Sequence, residues 1–237
     1  MTYVEGFLTP VPTAKKDAYV AHANEAVPLF KEFGATRMVE AWGEDVARGK
    51  LNDLWMAVNA AEDETVVFSW IEYPDKATRD AAVQRIMTDP RMEEVGKSMP
   101  FDGKRMMWGG FDSVSDAGRG TGTGYVDGVV VPIAGNARDA YASFSRAVAD
   151  PFIEHGALRV MDAVADDVSR GEHTDFFRAV LAEGEEVPAF GWVEWPDKAT
   201  RDAGWEKVMA DERMNGQDAP FDGKRMIFGG FTPIVDA

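Results

Sequence analysis

The chain has 237 residues, 45% hydrophobic and 28% charged, with a formal net charge of −16 and no cysteine. The lack of cysteine removes disulfides, thiolate metal sites and cysteine nucleophiles. The spread of acids along the chain opposes nucleic acid and anionic membrane surfaces as partners, since both need clustered Lys and Arg.

Tyr3 to Thr9 reads as a short β-rich run ended by Pro10 and Pro12. Lys15 to Phe33 carries apolar residues near a 3.6-residue period and reads as a helix, with Pro28 inside it and Gly34 as its C-terminal stop. Thr36 to Trp42 is the second expected strand and Leu54 to Ala61 the third. Val66 to Tyr73 either continues that third strand or stands alone. Pro74-Asp75 opens a second helix to about Met87, with Asp75 as N-cap. The Asp-Gly pair within Pro100 to Lys104 signals a tight turn, and Arg105 to Val114 is the last strand.

The pattern then repeats. Tyr3-Val4-Glu5-Gly6 returns as Tyr125-Val126-Asp127-Gly128, WIEYPDKATRD from Trp70 as WVEWPDKATRD from Trp192, and PFDGKRM from Pro100 unchanged from Pro220. The offset is 122 residues and falls to 120 past a loss of two residues, where Glu93 to Met99 faces only Asn215 to Ala219. A period this long marks a domain rather than a solenoid unit. The expected domains are residues 1–117 and 125–237, joined by a flexible Gly/Thr-rich linker over 118–124.

Each copy reads strand–helix–strand–strand–helix–strand, the ferredoxin-like βαββαβ order of an α+β fold. In that unit the helices cover one sheet face. Val66-Val67-Phe68-Ser69-Trp70-Ile71 is apolar on both faces, so the other face also needs a cover. The second copy supplies it, giving two sheets packed face to face in one chain, a monomeric pseudo-dimer.

The motifs Y-V-[DE]-G, G-A-x-R-x-V-E, V-F-S-W-I-E-[YW]-P, D-P-R-M and P-F-D-G-K-R-M resemble the YbaA-like family of uncharacterised bacterial proteins, domain of unknown function 1428. The resemblance covers nearly all of copy one and most of copy two. It implies the dimeric α/β-barrel superfamily, with two protomers fused into one chain. That superfamily includes cofactor-free monooxygenases of aromatic polyketides, haem enzymes and lactone isomerases, and the family itself brings no reaction with it.

From the residues, Glu5 is a carboxylate between apolar neighbours on an interior strand, and Asp127 is its counterpart. Burial would raise such an acid toward general-base duty, whereas an arginine partner would make it structural. On the second strand, alternation places Met38, Glu40 and Trp42 on one face and Arg37 on the other; their counterparts include Arg159, Asp162 and Val164. Ser69 and Trp70 extend the candidate ligand site, and Gly191 replaces Ser69. Glu5 and Glu40 are the catalytic candidates.

His22, His155 and His173 are not matched between copies, so no paired metal or haem site is expected, and no cofactor is. Gly103-Lys104 lacks the upstream glycine of a phosphate loop, and the linker lacks its spacing. No apolar run approaches the ~18 residues of a membrane helix. The N-terminus lacks a basic segment followed by a long apolar one, which makes the cytoplasm the default compartment. The expectation is a small-molecule pocket kept in copy one and diverged in copy two, binding a hydrophobic or aromatic acid. The chain would act either as a cofactor-free oxygenase or isomerase, or as a non-catalytic ligand-binding, structural or stress-related module.

Overall fold

A computed structural model describes residues 2–215 and 217–237. In chain order the first repeat holds β1 (Tyr3–Pro12), α1 (Lys16–Glu32), β2 (Arg37–Asp45), α2 (Leu54–Ala57), β3 (Glu64–Tyr73), α3 (Lys76–Thr88), α4 (Pro90–Lys97) and β4 (Met107–Gly118). The second holds β5 (Tyr125–Ile133), α5 (Arg138–Glu154), β6 (Arg159–Asp167), α6 (Phe176–Ala179), β7 (Val187–Trp195), α7 (Lys198–Ala210) and β8 (Ile227–Asp236). The strands form a closed antiparallel barrel in the order β1-β3-β2-β8-β5-β7-β6-β4, with the long helices outside.

Local chemistry sets the helix limits. Asp75 caps α3 through the Thr78 amide at 2.8 Å, and Asp89 followed by Pro90 starts α4. Gly34 and Gly156 sit at φ +109° and +110° past α1 and α5, a conformation that only glycine adopts cheaply.

One expectation is corrected and one alternative is decided. Leu54–Ala57 is one helical turn rather than a strand, because Asp53 accepts the Met56 amide at 2.6 Å and turns the chain. Val66–Tyr73 therefore belongs to a strand of its own. The two sheets also join along both edges, β2 to β8 and β4 to β6, so that no strand edge is left unpaired. Within residues 118–124, a Cβ on Gly120 would lie 2.1 Å from Glu194 Oε2, and the Thr123 hydroxyl donates to the same oxygen at 2.5 Å.

Inward-facing apolar residues pack the barrel interior. Phe68 stacks on Phe190 at 4.5 Å between ring centroids and Trp70 on Trp192 at 4.3 Å, each pair joining one residue from each repeat. At one end Arg37 grips Glu194 with two bonds of 2.9 Å, and Arg159 grips Glu72 at 2.7 and 3.0 Å. The Trp70 and Trp192 indoles donate to those same two carboxylates at 3.1 and 2.9 Å. The charges are thus paired and hydrogen-bonded where they are buried, the condition for tolerating them there.

The glycine of the repeated Y-V-[DE]-G motif follows from this core. A Cβ on Gly6 would stand 3.0 Å from the Phe190 ring, and one on Gly128 2.6 Å from Phe68. Gly6→Ala and Gly128→Ala are both expected to destabilise the chain, by about 1–3 kcal/mol of overpacking, with Gly128→Ala the worse. Urea unfolding checks this; a Gly128→Ala chain as stable as the parent would show that the rings can yield.

Candidate functional site

With the barrel interior closed, open space lies on the helix side of the sheet. A cavity of about 550 Å³ sits in the first repeat between β1, β2, β3 and helices α1, α3 and α4. Its floor is Phe7, Met38, Ile71 and Tyr73 from the strands, and its outer wall is the segment from Met87 to Met99.

One polar cluster lies in this apolar lining. Tyr19, from α1, donates to Glu40 Oε2 at 2.6 Å, and the Ser69 hydroxyl donates to the same oxygen. Glu40 Oε1 receives no hydrogen bond among the described residues, while Glu40 itself lines the cavity. Burial pushes the Glu40 carboxyl above the ordinary glutamate range, against the pull of the two hydroxyl donors. Burial and the neighbouring Glu40 push Tyr19 well above an ordinary phenol. A proton on this pair therefore sits on Tyr19 first, leaving Glu40 as the acceptor.

Glu5 lines the same cavity, but Arg79 of α3 holds both its oxygens, through Nε and, at 2.9 Å, through Nη2. Burial raises Glu5 and the guanidinium pulls it back. Arg79 also reaches Asp167 of the second repeat, so the two repeats together fix this pair. Glu5 is thus an ion-paired wall of the site rather than a free base.

The structure separates the other expected site residues. Met38, Glu40 and Ser69 line the cavity. Trp42 packs beside Tyr19 in the neighbouring apolar cluster with Val11 and Val67, outside the lining. Trp70 and Arg37 face into the barrel, where stacking and ion pairing occupy them. On the second repeat, Arg159 does the same. Tyr19, Tyr73 and Arg79 join the site without having been site candidates from sequence, although Tyr19 returns as Tyr141 and Arg79 as Arg201 at the 122-residue offset.

The second repeat keeps the tyrosine–acid pair and fills the space around it. Tyr141 donates to Asp162 at 2.7 Å, and burial lifts that acid to about 6. Gly191 replaces Ser69, and a Cβ there would lie 2.4 Å from Asp162 Oδ1. Val164 packs with Tyr141 in an apolar cluster. Trp205 stands where the first repeat has Val83 and packs on Phe152 at 5.0 Å. Its indole donates to Asp127 at 2.7 Å, Trp195 donates to it at 2.9 Å, and Arg201 ion-pairs with it at 2.7 Å. Phe144 replaces His22 and Val148 replaces Ala26, adding further bulk.

Among the described residues no three His, Cys, Asp or Glu side chains are grouped to hold a metal ion, and no helix is long and apolar enough to cross a membrane.

The fold is that of proteins with very different sequences. A proposed monooxygenase from Fusobacterium nucleatum superposes with a TM-score of 0.64 at 11% identity, covering 99% of this chain and 93% of that one. An anthrone oxidase-like protein gives 0.54 at 9% identity, covering 100% and 92%. Nearer in sequence, the uncharacterised protein YbaA of Escherichia coli is 63% identical over 116 residues, 49% of this chain and 99% of its own length. The model of the protein family of unknown function DUF1428 matches residues 2–103 and again 124–223, and the chain belongs to that family.

Proposed function

We propose that the first repeat binds a small, largely aromatic molecule in the cavity under α1, α3 and α4 and uses Glu40 as a general base. Each repeat is read as a ferredoxin-like unit over 1–117 and 125–237, so that the chain is a fused pseudo-dimer with one working pocket. The observation that carries the reading is the Glu40 carboxylate in an apolar cavity, with Oε2 held by Tyr19 and Ser69 and Oε1 left without a partner. A carboxyl raised by burial is a stronger base than one in water, and oriented donors keep it placed for proton transfer.

The step is transfer of a proton from an acidic C–H or O–H of the ligand to Glu40 Oε1. The ligand is left as a delocalised anion against Phe7, Tyr73 and Met38. Return of that proton at another carbon is an isomerisation; loss of electrons from the anion to dissolved dioxygen is an oxidation. The fold is shared with the proposed monooxygenase and the anthrone oxidase-like protein, which makes anthrone, an aromatic with an acidic C–H, a suitable probe. The lining contains no Lys or Arg, so the body of the ligand that enters is uncharged rather than the acid expected from sequence.

With anthrone and an oxygen electrode, the wild-type chain is expected to consume oxygen. Glu40→Gln should lower kcat by roughly 10²–10⁴-fold while leaving Kd within a few-fold. The base form of Glu40 exists only above its raised pKa. Activity should therefore rise with pH through a midpoint above the usual glutamate value of 4.5, a limb missing in Glu40→Gln. Equal turnover by Glu40→Gln would remove Glu40 from the chemistry, and tight binding without turnover would make the protein a ligand carrier.

Filling the cavity as the second repeat fills its own is the complementary test. Val83→Trp is expected to weaken anthrone binding at least tenfold while the urea midpoint holds or rises, because an indole already packs at the matching position, Trp205. Unchanged binding in Val83→Trp would place the ligand elsewhere.

A further inference from the structure

A second recess, of about 400 Å³, adjoins the cavity and shares two lining residues with it, Met106 and Trp108. It lies between the 103–108 segment of the first repeat and the 169–175 loop of the second, so neither repeat forms it alone. The two spaces differ in charge. The cavity is lined by Glu5, Glu40, Asp89 and Glu93 and by no Lys or Arg; Glu5, Asp89 and Glu93 are ion-paired with Arg79, Arg91 and Lys97, which leaves Glu40 as the acid without a cation. The recess is lined by Lys104, Arg170 and His173 together with Asp167, Glu172 and Asp175.

Two of those three acids are already committed. Asp167 pairs with Arg79, and Asp175 caps α6 and pairs with Arg178 at 3.3 Å. Lys104 and Arg170 form no salt bridge among the described residues, and Glu172 is the one acid of the recess lining left uncommitted. The Arg170 guanidinium lies 4.4 Å from the Phe177 ring centroid, a stack that fixes its plane and leaves its N–H edges open. Trp108, 45% exposed, stands at the junction as an aromatic wall common to both spaces.

We infer that the ligand is a two-part molecule: an uncharged aromatic body in the cavity and an anionic tail, of the carboxylate or phosphate class, that passes Trp108 to Lys104 and Arg170. This rests on the reading of the cavity as the ligand site. It places the acid group suggested by the sequence outside the cavity, where the cations are. The symmetry-related place keeps Lys224 from the second repeat and Arg48 from the first, but has Phe228 for Trp108 and Leu51 for His173, beside a space that Trp205 and Phe144 have filled.

Three probes separate the outcomes by calorimetry at low salt: 1-naphthol, 1-naphthoate and 4-(1-naphthyl)butanoate. The expected order is butanoate tightest, naphthol next and naphthoate weakest, since the last would carry its charge into an apolar cavity beside Glu40, where no Lys or Arg receives it. The tail advantage over naphthol should be roughly three- to tenfold, as for partly exposed ion pairs. It should vanish in Lys104→Ala/Arg170→Ala, and at high salt, with naphthol binding unchanged. An advantage that survives the double substitution overturns the tail assignment while leaving the cavity intact. So does binding of naphthol with no advantage for the butanoate. If naphthol itself does not bind, the cavity reading fails and the tail assignment with it.

Discussion

The stacking of Phe68 on Phe190 and Trp70 on Trp192 is the contact on which the rest of this molecule depends. It closes the barrel interior, demands glycine at positions 6 and 128, and requires both repeats at once. One repeat alone would expose half of this aromatic face to water, at a cost of order 25 cal/mol for each Å² of apolar surface. The centre is packed with side chains from both repeats. Open space is displaced to the outer side of the sheet, where side chains of the opposite parity meet the helices.

That displacement explains how the repeats differ without disturbing each other. The reciprocal ion pairs, Arg37 to Glu194 and Arg159 to Glu72, belong to the inward parity and are kept in both halves. The outward parity is free to vary: Ser69 against Gly191, Val83 against Trp205, His22 against Phe144. In a homodimer any such change would strike both sites. Fusion into one chain lets one repeat fill its pocket with indole and phenyl groups and gain packing, while the other keeps open space. The helix-side residues of the first repeat therefore carry a loss of packing that the second does not share, the expected mark of a site under a functional demand.

Much of this was legible in the sequence, and the failures have separate causes. The repeat, the caps at Asp75 and Gly34, and the shared face of Met38 and Glu40 followed from spacing and turn chemistry. Trp70 was grouped with Ser69 although adjacent strand residues face opposite ways, so only one of them could line the cavity. Trp42 has the correct parity, yet Tyr19 and Phe101 crowd that corner, a three-dimensional fact with no trace in the pattern. Leu54–Ala57 looked like a strand because its residues are apolar, whereas Asp53 ahead of it was the decisive signal. Tyr19 and Arg79 were recoverable by asking which polar residues recur at the 122-residue offset.

The second repeat then serves as an internal control for the first. Tyr141 and Asp162 reproduce Tyr19 and Glu40 in a filled environment, and burial alone lifts Asp162 to about 6. A raised carboxyl is therefore a property of this strand position and not by itself a sign of catalysis. Such an acid destabilises the fold above its folded pKa and ceases to do so once the pH falls below the ordinary aspartate value. What the first repeat adds is space beside the acid, the Ser69 donor that holds Oε2, and an Oε1 without a partner. The proposed base function rests on those additions, because the features common to both repeats are explained by burial and packing.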